Sequence, residues 1–414
     1  MVKNDRKVVV TGLGPVTPIG TGEEAFRDAL VRGDNGISLL PVEEYGEDFP
    51  IKVAGQIYDF DSSNYGIDVK SAKRMSRPDK FGIAATGLAL KSARLHIGNQ
   101  NGDVSPEDVD ICLGVGIGGH TTSMNEMERY LEGKKIKPFA VPQIMPNSAA
   151  AQIGLHYGIK GESITTNSAC ASSGTAIGDA YYRIKGGRDI IVVGGLEACI
   201  NKFSLSAFDS MRALSRSEEP FYKVYDEDSE GFVMGEGAGM LILESEEHAL
   251  QRGAPIYAEI IGYGASTDAQ HIASPDLEGR QLSRAVKFSL KDAGISPEEI
   301  KYVNSHGTGT MNDGIESKVM KDVFGNLTSE IPISSTKPMI GHLLGGATAV
   351  ETIATILAMN YNFLPGTINL ENPINGLDYI TETRTHQYTP IALKFSSGFG
   401  GHNTSLVLKR YERS

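Results

Sequence analysis

The chain has 414 residues, of which 40% are hydrophobic and 22% charged, and its formal net charge is −12 at pH 7. The composition is typical of a soluble globular protein, and the acidic balance argues against nonspecific nucleic-acid binding over the whole surface. Three cysteines are too few for a disulfide framework and too far apart for a zinc site. No signal peptide or membrane span is recognisable, so we expect a cytoplasmic protein.

Strands and helices are predicted to alternate along the chain. Continuously apolar strands at residues 8–10, 111–113, 190–193 and 256–261 are typical of sheets that helices cover on both faces. Several of these strands end in glycine-rich turns. None of the turns has the glycine spacing and the following acidic residue of a dinucleotide site, so the glycines indicate tight turns instead. The pattern predicts an α/β fold.

The sequence contains an internal repeat. Residues 104–119 resemble residues 295–310, because each segment has a Ser-Pro-Glu tripeptide, an apolar strand and a Gly-x-Gly turn in the same register. We therefore predict two duplicated α/β halves, residues 1–255 and 256–414. The first half carries extra segments at residues 48–77 and 201–225.

Three residues at predicted strand ends are candidates for chemistry. A short β-type run at residues 163–166 leads to Cys170, and a helix is predicted over residues 171–185. A thiol at a helix N-terminus is expected to have a lowered pKa, although a buried structural cysteine is the commoner alternative. His306 and His342 each follow a predicted buried strand, which is where α/β proteins place ligands.

These residues belong to a set of motifs that resembles the thiolase-fold condensing enzymes, and most closely the β-ketoacyl-acyl-carrier-protein synthase II family of type II ketosynthases. The resemblance spans the chain and rests on residues 9–14, 116–119, 145–147, 168–171, 231–239, 306–310, 335–342 and 398–401, in that order. It implies a thiolase-like five-layered αβαβα fold. It also implies decarboxylative condensation of a malonyl thioester with an acyl chain.

The resemblance implies a role for each central residue. Cys170 would carry the acyl chain as a thioester, and the backbone N–H groups of Cys170 and Phe399 would form the oxyanion hole. His306 and His342 would bind the malonyl carbonyl and stabilise the enolate. Lys337 would support the site through a hydrogen bond, for which we expect Glu316 as the partner.

Further residues are implied in supporting and binding roles. Asp313 would act beside Glu316, and Phe399 would also gate the acyl pocket. The residues expected to bind pantetheine or the acyl chain are Thr308, Thr310, Ile117 and Phe208. Because the substrates of this family arrive on the phosphopantetheine arm of an acyl-carrier protein, we expect no other cofactor and no metal.

The carrier protein of this family is acidic, which gives a role to two basic islands in an acidic chain. The residues expected to dock it are Lys70, Lys73, Arg74, Lys134 and Lys135. A solvated surface is the alternative for these charges. The resemblance also implies a homodimer, and a heterodimer with an inactive homologue stays open.

The sequence departs from the family pattern at four places. The turn after His306 is one residue shorter than usual, so Asp313 and Glu316 are expected to be displaced. Ser229 stands where an arginine is usual, and Ala273 replaces a threonine. Residues 395–397 read Phe-Ser-Ser, where the family usually has Asn-Ser-Phe or Asn-Ser-Leu. Fatty-acid elongation is the expected pathway. Polyketide or polyene assembly is the alternative, and a non-catalytic binding role is a third hypothesis.

Overall fold

The structure is a computed structural model that describes residues 6–100, 104–374 and 376–412. The strands are, in chain order, β1 (Val8–Thr17), β2 (Gly20–Thr21), β3 (Ser38–Leu39), β4 (Val53–Ala54), β5 (Val109–Val115), β6 (Ser163–Thr166), β7 (Ile190–Glu197), β8 (Gly237–Ser245), β9 (Ala258–Thr267), β10 (Tyr302–Asn304), β11 (Ile333–Ser334), β12 (Phe363–Leu364), β13 (Arg384–Thr385), β14 (Ile391–Gly398) and β15 (His402–Arg410).

The helices are α1 (Glu23–Arg32), α2 (Val42–Tyr45), α3 (Val69–Ala72), α4 (Arg77–Ser92), α5 (His120–Leu131), α6 (Ala140–Ile144), α7 (Ser148–Tyr157), α8 (Ser172–Lys185), α9 (Lys202–Ser210), α10 (Glu246–Gln251), α11 (Arg280–Ala293), α12 (Asn312–Phe324), α13 (Lys337–Ile340) and α14 (Ala347–Tyr361). Short 3₁₀ turns join several of them. Two of these turns, Ala169–Ala171 and Leu344–Gly346, lie directly before α8 and α14.

One large sheet organises the molecule. Its strand order is β11-β10-β14-β15-β9-β1-β8-β7-β5-β6, with β2 added to β1. Read outward from the centre, the two halves repeat the same pattern of two antiparallel pairs followed by two parallel pairs. The halves join where β1 pairs with β9 over three residues of each strand.

Each half of this sheet forms one β layer, and helices lie between the two halves and on the outer face of each. α8 and α14 contact strands from both halves and therefore form a central layer. α4 covers β1 and β8 on one outer side, with α7 packed against it, and α11 covers β9 and β15 on the other, with α12 beside it. The arrangement is the five-layered αβαβα fold that the motifs predicted.

The central helix α14 shows why the layers are stable. Every residue from Ala347 to Met359 is buried, so the helix is apolar around most of its circumference, as expected for a helix packed on all sides. Two threonine hydroxyls in it bond to carbonyls one turn earlier, which satisfies them without water. Within the described residues, no helix is both long and apolar enough to cross a membrane.

The parallel strands bring distant segments to one edge of the sheet. Val303 of β10 pairs with Ile333 of β11 and with Leu393 of β14, all in parallel register. The carboxyl ends of these strands therefore meet, and so do those of β5, β6 and β7 in the other half. The turns that follow these strand ends carry the candidate site.

Candidate active site

Cys170 lies in a tight turn between β6 and α8. Ala169 has a φ of 52°, a left-handed conformation that costs a residue with a side chain about 1–3 kcal/mol. Ser172 stabilises the turn, because its hydroxyl accepts from the N–H of Ser168 at 2.9 Å and donates to the carbonyl of Ala169 at 2.6 Å. The helix begins at Ser172, two residues after the cysteine, and the turn projects the thiol toward the other half.

The thiol is buried, with 8% of the residue exposed. Burial raises the pKa of Cys170 to about 12, against the opposing effects of the positive charge of Lys337 and a hydrogen bond from the backbone of Phe399. The expected lowering of this pKa is therefore wrong for the free protein. Desolvation of the thiol outweighs the stabilisation of its thiolate by Lys337 and by the backbone of Phe399.

The end of β14 approaches the cysteine turn very closely. A Cβ atom on Gly398 would lie 2.7 Å from the carbonyl oxygen of Ser168 and 3.0 Å from the nitrogen of Cys170. Only glycine permits this approach without a shift of backbone. It places the N–H of Phe399 against the Cys170 sulfur, next to the N–H of Cys170 itself.

The two histidines lie beside each other at the strand ends of the second half. Their rings are 5.3 Å apart between centroids and nearly perpendicular, at 82°. Backbone bonds to Val233 and Gly235 fix His342, which donates at 2.7 Å and accepts at 2.9 Å. Burial, followed by the positive charge of Lys337, lowers the pKa of both His306 and His342 well below its usual value. Both rings are therefore neutral at pH 7.

A cavity of about 700 Å³ joins these groups. It is lined by Cys170, both histidines, Phe399 and residues from the loops around them. Thr308 and Thr310 also line it, with their hydroxyl oxygens 2.9 Å apart. Among the cavity-lining residues are three of the positions at which the sequence departs from the family pattern, Ser229, Ala273 and Ser397.

Ile117 and Phe208 do not line this cavity. Both pack, partly buried, against the apolar cluster that contains Cys170. The ring of Phe208 stacks on that of Phe399, with centroids 6.3 Å apart. The structure thus places Phe208 against the candidate gate, and both residues outside the set that lines the cavity.

Two buried carboxylates hold the turn that follows His306. Asp313 accepts from the N–H groups of Thr308 and Gly309 at 2.8 and 3.0 Å, and Glu316 accepts from that of Gly307 at 3.0 Å. Burial raises the pKa of both carboxyl groups, and their mutual repulsion adds to the shift of Glu316. Both carboxylates therefore bond to the backbone of the shorter turn, and their displacement relative to the family pattern stays a prediction.

The expected pairing of Lys337 with Glu316 is also wrong. Lys337 forms a fully buried ion pair with Glu351 of α14 and donates to the carbonyl of His306. Its Nζ also lies 3.3 Å from Nδ1 of His306. A second buried lysine, Lys394 of β14, lies 2.7 Å from the other oxygen of Glu351.

Sequence reasoning missed Glu351 and Lys394, although a signal for them exists. Each is the one charged residue inside a mainly apolar segment, residues 347–359 and 391–395. Buried charges are rare unless they are paired, so two such residues of opposite sign predict each other as partners. Glu197 was missed as well. Its carboxylate accepts from the N–H groups at residues 116–118 and so holds the loop after β5.

The basic islands form one exposed surface at the outer side of the first half. The guanidinium of Arg74 lies 4.7 Å above the ring of Phe139, which brings the two islands together. One charge is partly neutralised, because Lys134 pairs with Glu132 at 2.6 Å. The exposed side chains of this surface are Lys70, Lys73, Arg74, Lys134 and Lys135.

Comparison with known proteins agrees with this geometry. Residues 5–249 match the N-terminal domain of β-ketoacyl synthases, and residues 257–371 match the C-terminal domain. A 3-oxoacyl-acyl-carrier-protein synthase 2 from Synechocystis is 40% identical over 417 residues, which cover 98% of this chain and 99% of the relative.

Solved structures give the same result. The ishigamide ketosynthase/chain length factor superposes with a TM-score of 0.91 at 31% identity, over 98% of this chain and 100% of that one. A ketosynthase in complex with its type II PKS acyl-carrier protein has a TM-score of 0.88 at 32% identity, with the same coverage. The chain therefore belongs to the β-ketoacyl synthase family, a family of acyl-transferring condensing enzymes with a thiolase-like fold, as its motifs predicted.

Proposed function

We propose that this protein condenses malonyl-acyl-carrier protein with an acyl chain carried on Cys170, in fatty-acid elongation in the cytoplasm. The observation that carries the proposal is the shared cavity. One thiol, two N–H donors and two neutral imidazoles face the same space of about 700 Å³. This is the set of groups needed to hold an acyl thioester and to form a carbanion beside it.

The acyl chain enters by thioester exchange. The Cys170 sulfur attacks the carbonyl of the acyl-carrier thioester, the carbon–sulfur bond to the carrier breaks, and the proton of Cys170 leaves with the carrier thiol. The N–H groups of Cys170 and Phe399 receive the developing oxyanion. One such donor typically lowers a barrier by roughly 3 kcal/mol.

The malonyl thioester then loses carbon dioxide. The electron pair of the broken carbon–carbon bond becomes an enolate, whose oxygen accepts hydrogen bonds from His306 and His342. The ammonium of Lys337 is a donor 3.3 Å from Nδ1 of His306, so that nitrogen acts as acceptor and the ring proton lies on Nε2. A neutral ring with this tautomer can donate to the substrate.

The carbanion attacks the acyl carbonyl on Cys170, and the cysteine leaves as a thiolate. The product is a β-ketoacyl chain, two carbons longer, on the second carrier. Because burial gives Cys170 a high pKa, the thiolate takes up a proton once the product leaves. We propose no resident cofactor, since Cys170, His306 and His342 supply each group that the steps require.

Intact-protein mass spectrometry tests the proposal directly. Incubation with acyl-carrier substrate should add one acyl group to the protein, and Cys170→Ala should abolish the adduct. Reconstitution with malonyl- and acyl-carrier proteins should then yield the extended chain. If wild-type protein forms no adduct and no product, the non-catalytic alternative is the correct one.

We propose the basic surface as the docking site of the acyl-carrier protein. Its lysines and arginines are exposed in an acidic chain, and a structural neighbour is a ketosynthase bound to its carrier. Charge reversal at Lys134 and Lys135 should raise KM for carrier-bound substrate and leave KM for a pantetheine thioester unchanged. Equal effects on both substrates would contradict the docking site.

We also propose a homodimer. β6 is the last strand of the sheet, and an uncovered edge strand is a place where chains associate. Helix α5 of the same half exposes Met127, Tyr130 and Leu131, which an interface would cover. Light scattering on the purified protein tests this. A monomer that becomes a dimer only with a homologous subunit would favour the heterodimer.

A specialised type II ketosynthase of polyketide or polyene assembly is the second candidate. The observation that favours it is the location of Ser229, Ala273 and Ser397 on the cavity wall. Each of these residues is smaller than the one that is usual in the family at that position. Rates of Cys170 acylation should be compared for saturated and polyunsaturated acyl carriers. A clear preference for polyunsaturated chains would support this candidate over fatty-acid elongation.

A further inference from the structure

Three buried charges lie behind the two histidines. Lys337, Glu351 and Lys394, here called the buried triad, have side chains that are 0%, 1% and 0% exposed. Glu351 is the centre, because each of its oxygens faces one lysine. Two cations share one carboxylate, so the triad carries an excess of one positive charge when all three groups are ionised.

Lys394 has contacts that Lys337 does not make. Its Nζ donates to the carbonyl of Ser305 at 3.0 Å and to that of Phe395 at 2.6 Å. Lys337 donates to the next carbonyl, that of His306. The two ammonium groups therefore hold consecutive carbonyls at the end of β10, where His306 begins its turn.

Lys394 also connects the two parts of the site through β14. The strand runs from Lys394 to Gly398, and the next N–H, that of Phe399, contacts the Cys170 sulfur. The Glu351 contact at 2.7 Å is an ion pair, while the directed hydrogen bonds of Lys394 go to the two carbonyls. Burial of an unpaired charge raises the free energy of the folded state. A fully buried lysine in excess of its carboxylate partner is therefore a candidate for a functional role.

We propose that Lys394 is a positioning residue for decarboxylation, which fixes the backbone at His306 and supplies the excess positive charge that favours the enolate. The inference rests on the proposed function. When carbon dioxide leaves, the electron pair of the broken bond creates a negative charge at the histidines. Lys337 and Glu351 alone form a neutral pair, so within the triad only the second lysine supplies an excess positive charge.

The charged surroundings of Lys394 agree with this role. The groups that face it are Glu351 on α14, Lys337 on α13, Glu316 on α12, His306 after β10 and His342 after α13. Burial, with the repulsion of Lys337, lowers the pKa of Lys394 to about 8, and Glu351 opposes the shift. Lys394 is thus charged below pH 8 and loses its charge above it. Its charge in turn helps to keep both histidines neutral.

The test separates the two half-reactions. Carbon dioxide release from malonyl-carrier protein and acylation of Cys170 are measured for wild-type protein, Lys394→Met and the double variant Glu351→Gln/Lys394→Met. We expect Lys394→Met to slow decarboxylation by about tenfold or more and to keep acylation within roughly threefold. The double variant restores the excess positive charge through Lys337 and should recover part of the rate.

Tyr302→Phe is the matched control. Tyr302 lies on β10, the strand that leads to His306, and the substitution removes a buried hydroxyl that bonds Ser334 of β11 at 2.8 Å, without a change in charge. Both half-reactions should stay near wild type. The inference would be overturned if Lys394→Met decarboxylates at the wild-type rate, or if it loses the same factor in both half-reactions.

The pH profile of wild-type protein decides the matter if Lys394→Met does not fold. Decarboxylation should decline above pH 8, where Lys394 loses its proton, and a rate that holds to pH 9.5 or so would overturn the inference. Failure of the proposed function looks different. In that case wild-type protein itself forms no Cys170 adduct and releases no carbon dioxide.

Discussion

The turn that carries Cys170 has a counterpart in the second half of the molecule. Ala169 and Leu344 both have a left-handed backbone, with φ of 52° and 43°, and each opens a 3₁₀ turn that leads into a central helix. The residue after Leu344 is Gly345. A Cβ there would lie 2.2 Å from the nitrogen of Gly116, so the second turn has no room for a side chain.

In the function proposed above, the comparison shows how a duplicated fold divides the steps of one reaction between its halves. The first half uses the turn to present a nucleophile, whose thiol is neutral and desolvated. The second half uses the same backbone for close packing and places its chemistry on neighbouring strand ends, where the buried triad supports two histidines. The same backbone geometry therefore does not imply the same function.

The largest expected effect concerns the charges of the second half. Glu351→Ala leaves two buried lysines without their carboxylate, and we expect it to lower the free energy of unfolding by about 3–5 kcal/mol. Urea denaturation measures this. Glu107→Ala is the control, because Glu107 forms only a solvent-exposed pair with Lys160 and its loss should leave the free energy of unfolding nearly unchanged. Equal losses for the two variants would mean that the triad has no special role in stability.

The second prediction separates the chemistry of the halves. His306→Ala removes one donor to the enolate, so condensation should fall by roughly 10²–10³-fold. Acylation of Cys170 should continue, since the thiol and the N–H of Phe399 are unchanged. Mass spectrometry of the adduct and product formation are measured on the same sample. Condensation at the wild-type rate would refute the role given to His306.

The third prediction tests the packing of the counterpart turn. Gly345→Ala forces a methyl group against the backbone of Gly116, and we expect a loss of about 2 kcal/mol in the free energy of unfolding. Gly314→Ala is a suitable comparison, because a Cβ there meets nothing within 4 Å and α12 should be slightly stabilised. Identical behaviour of the two variants would show that the turn can relax.

The smallest effect concerns the ionisation of Cys170. Because burial raises its pKa to about 12, the thiolate fraction should rise by about tenfold per pH unit between pH 7 and 9. The rate of alkylation by iodoacetamide reports that fraction, with denatured protein as the reference. A rate that is already constant above pH 7 would show that the helix N-terminus outweighs burial after all.

The candidate residues and the fold class were predictable because their signals are local. Cys170, His306 and His342 each stand in a short motif at a strand end, and the duplicated Ser-Pro-Glu segments indicate two equivalent halves. Close packing at a turn demands particular residues within a few positions of each other. Such constraints can be read from one chain.

The partner of Lys337 and the ionisation of Cys170 were not predictable in this way. Glu316 and Glu351 are both glutamates on helices, α12 and α14, and only the packing of α14 against the sheet brings Glu351 to the lysine. The pKa of Cys170 depends on the burial of its thiol and on Lys337 and Phe399, which lie far along the chain. The sequence by itself determined which groups are present and which turns present them. The tertiary structure decided their charge and their partners, because desolvation and ion pairing depend on what lies nearby in space.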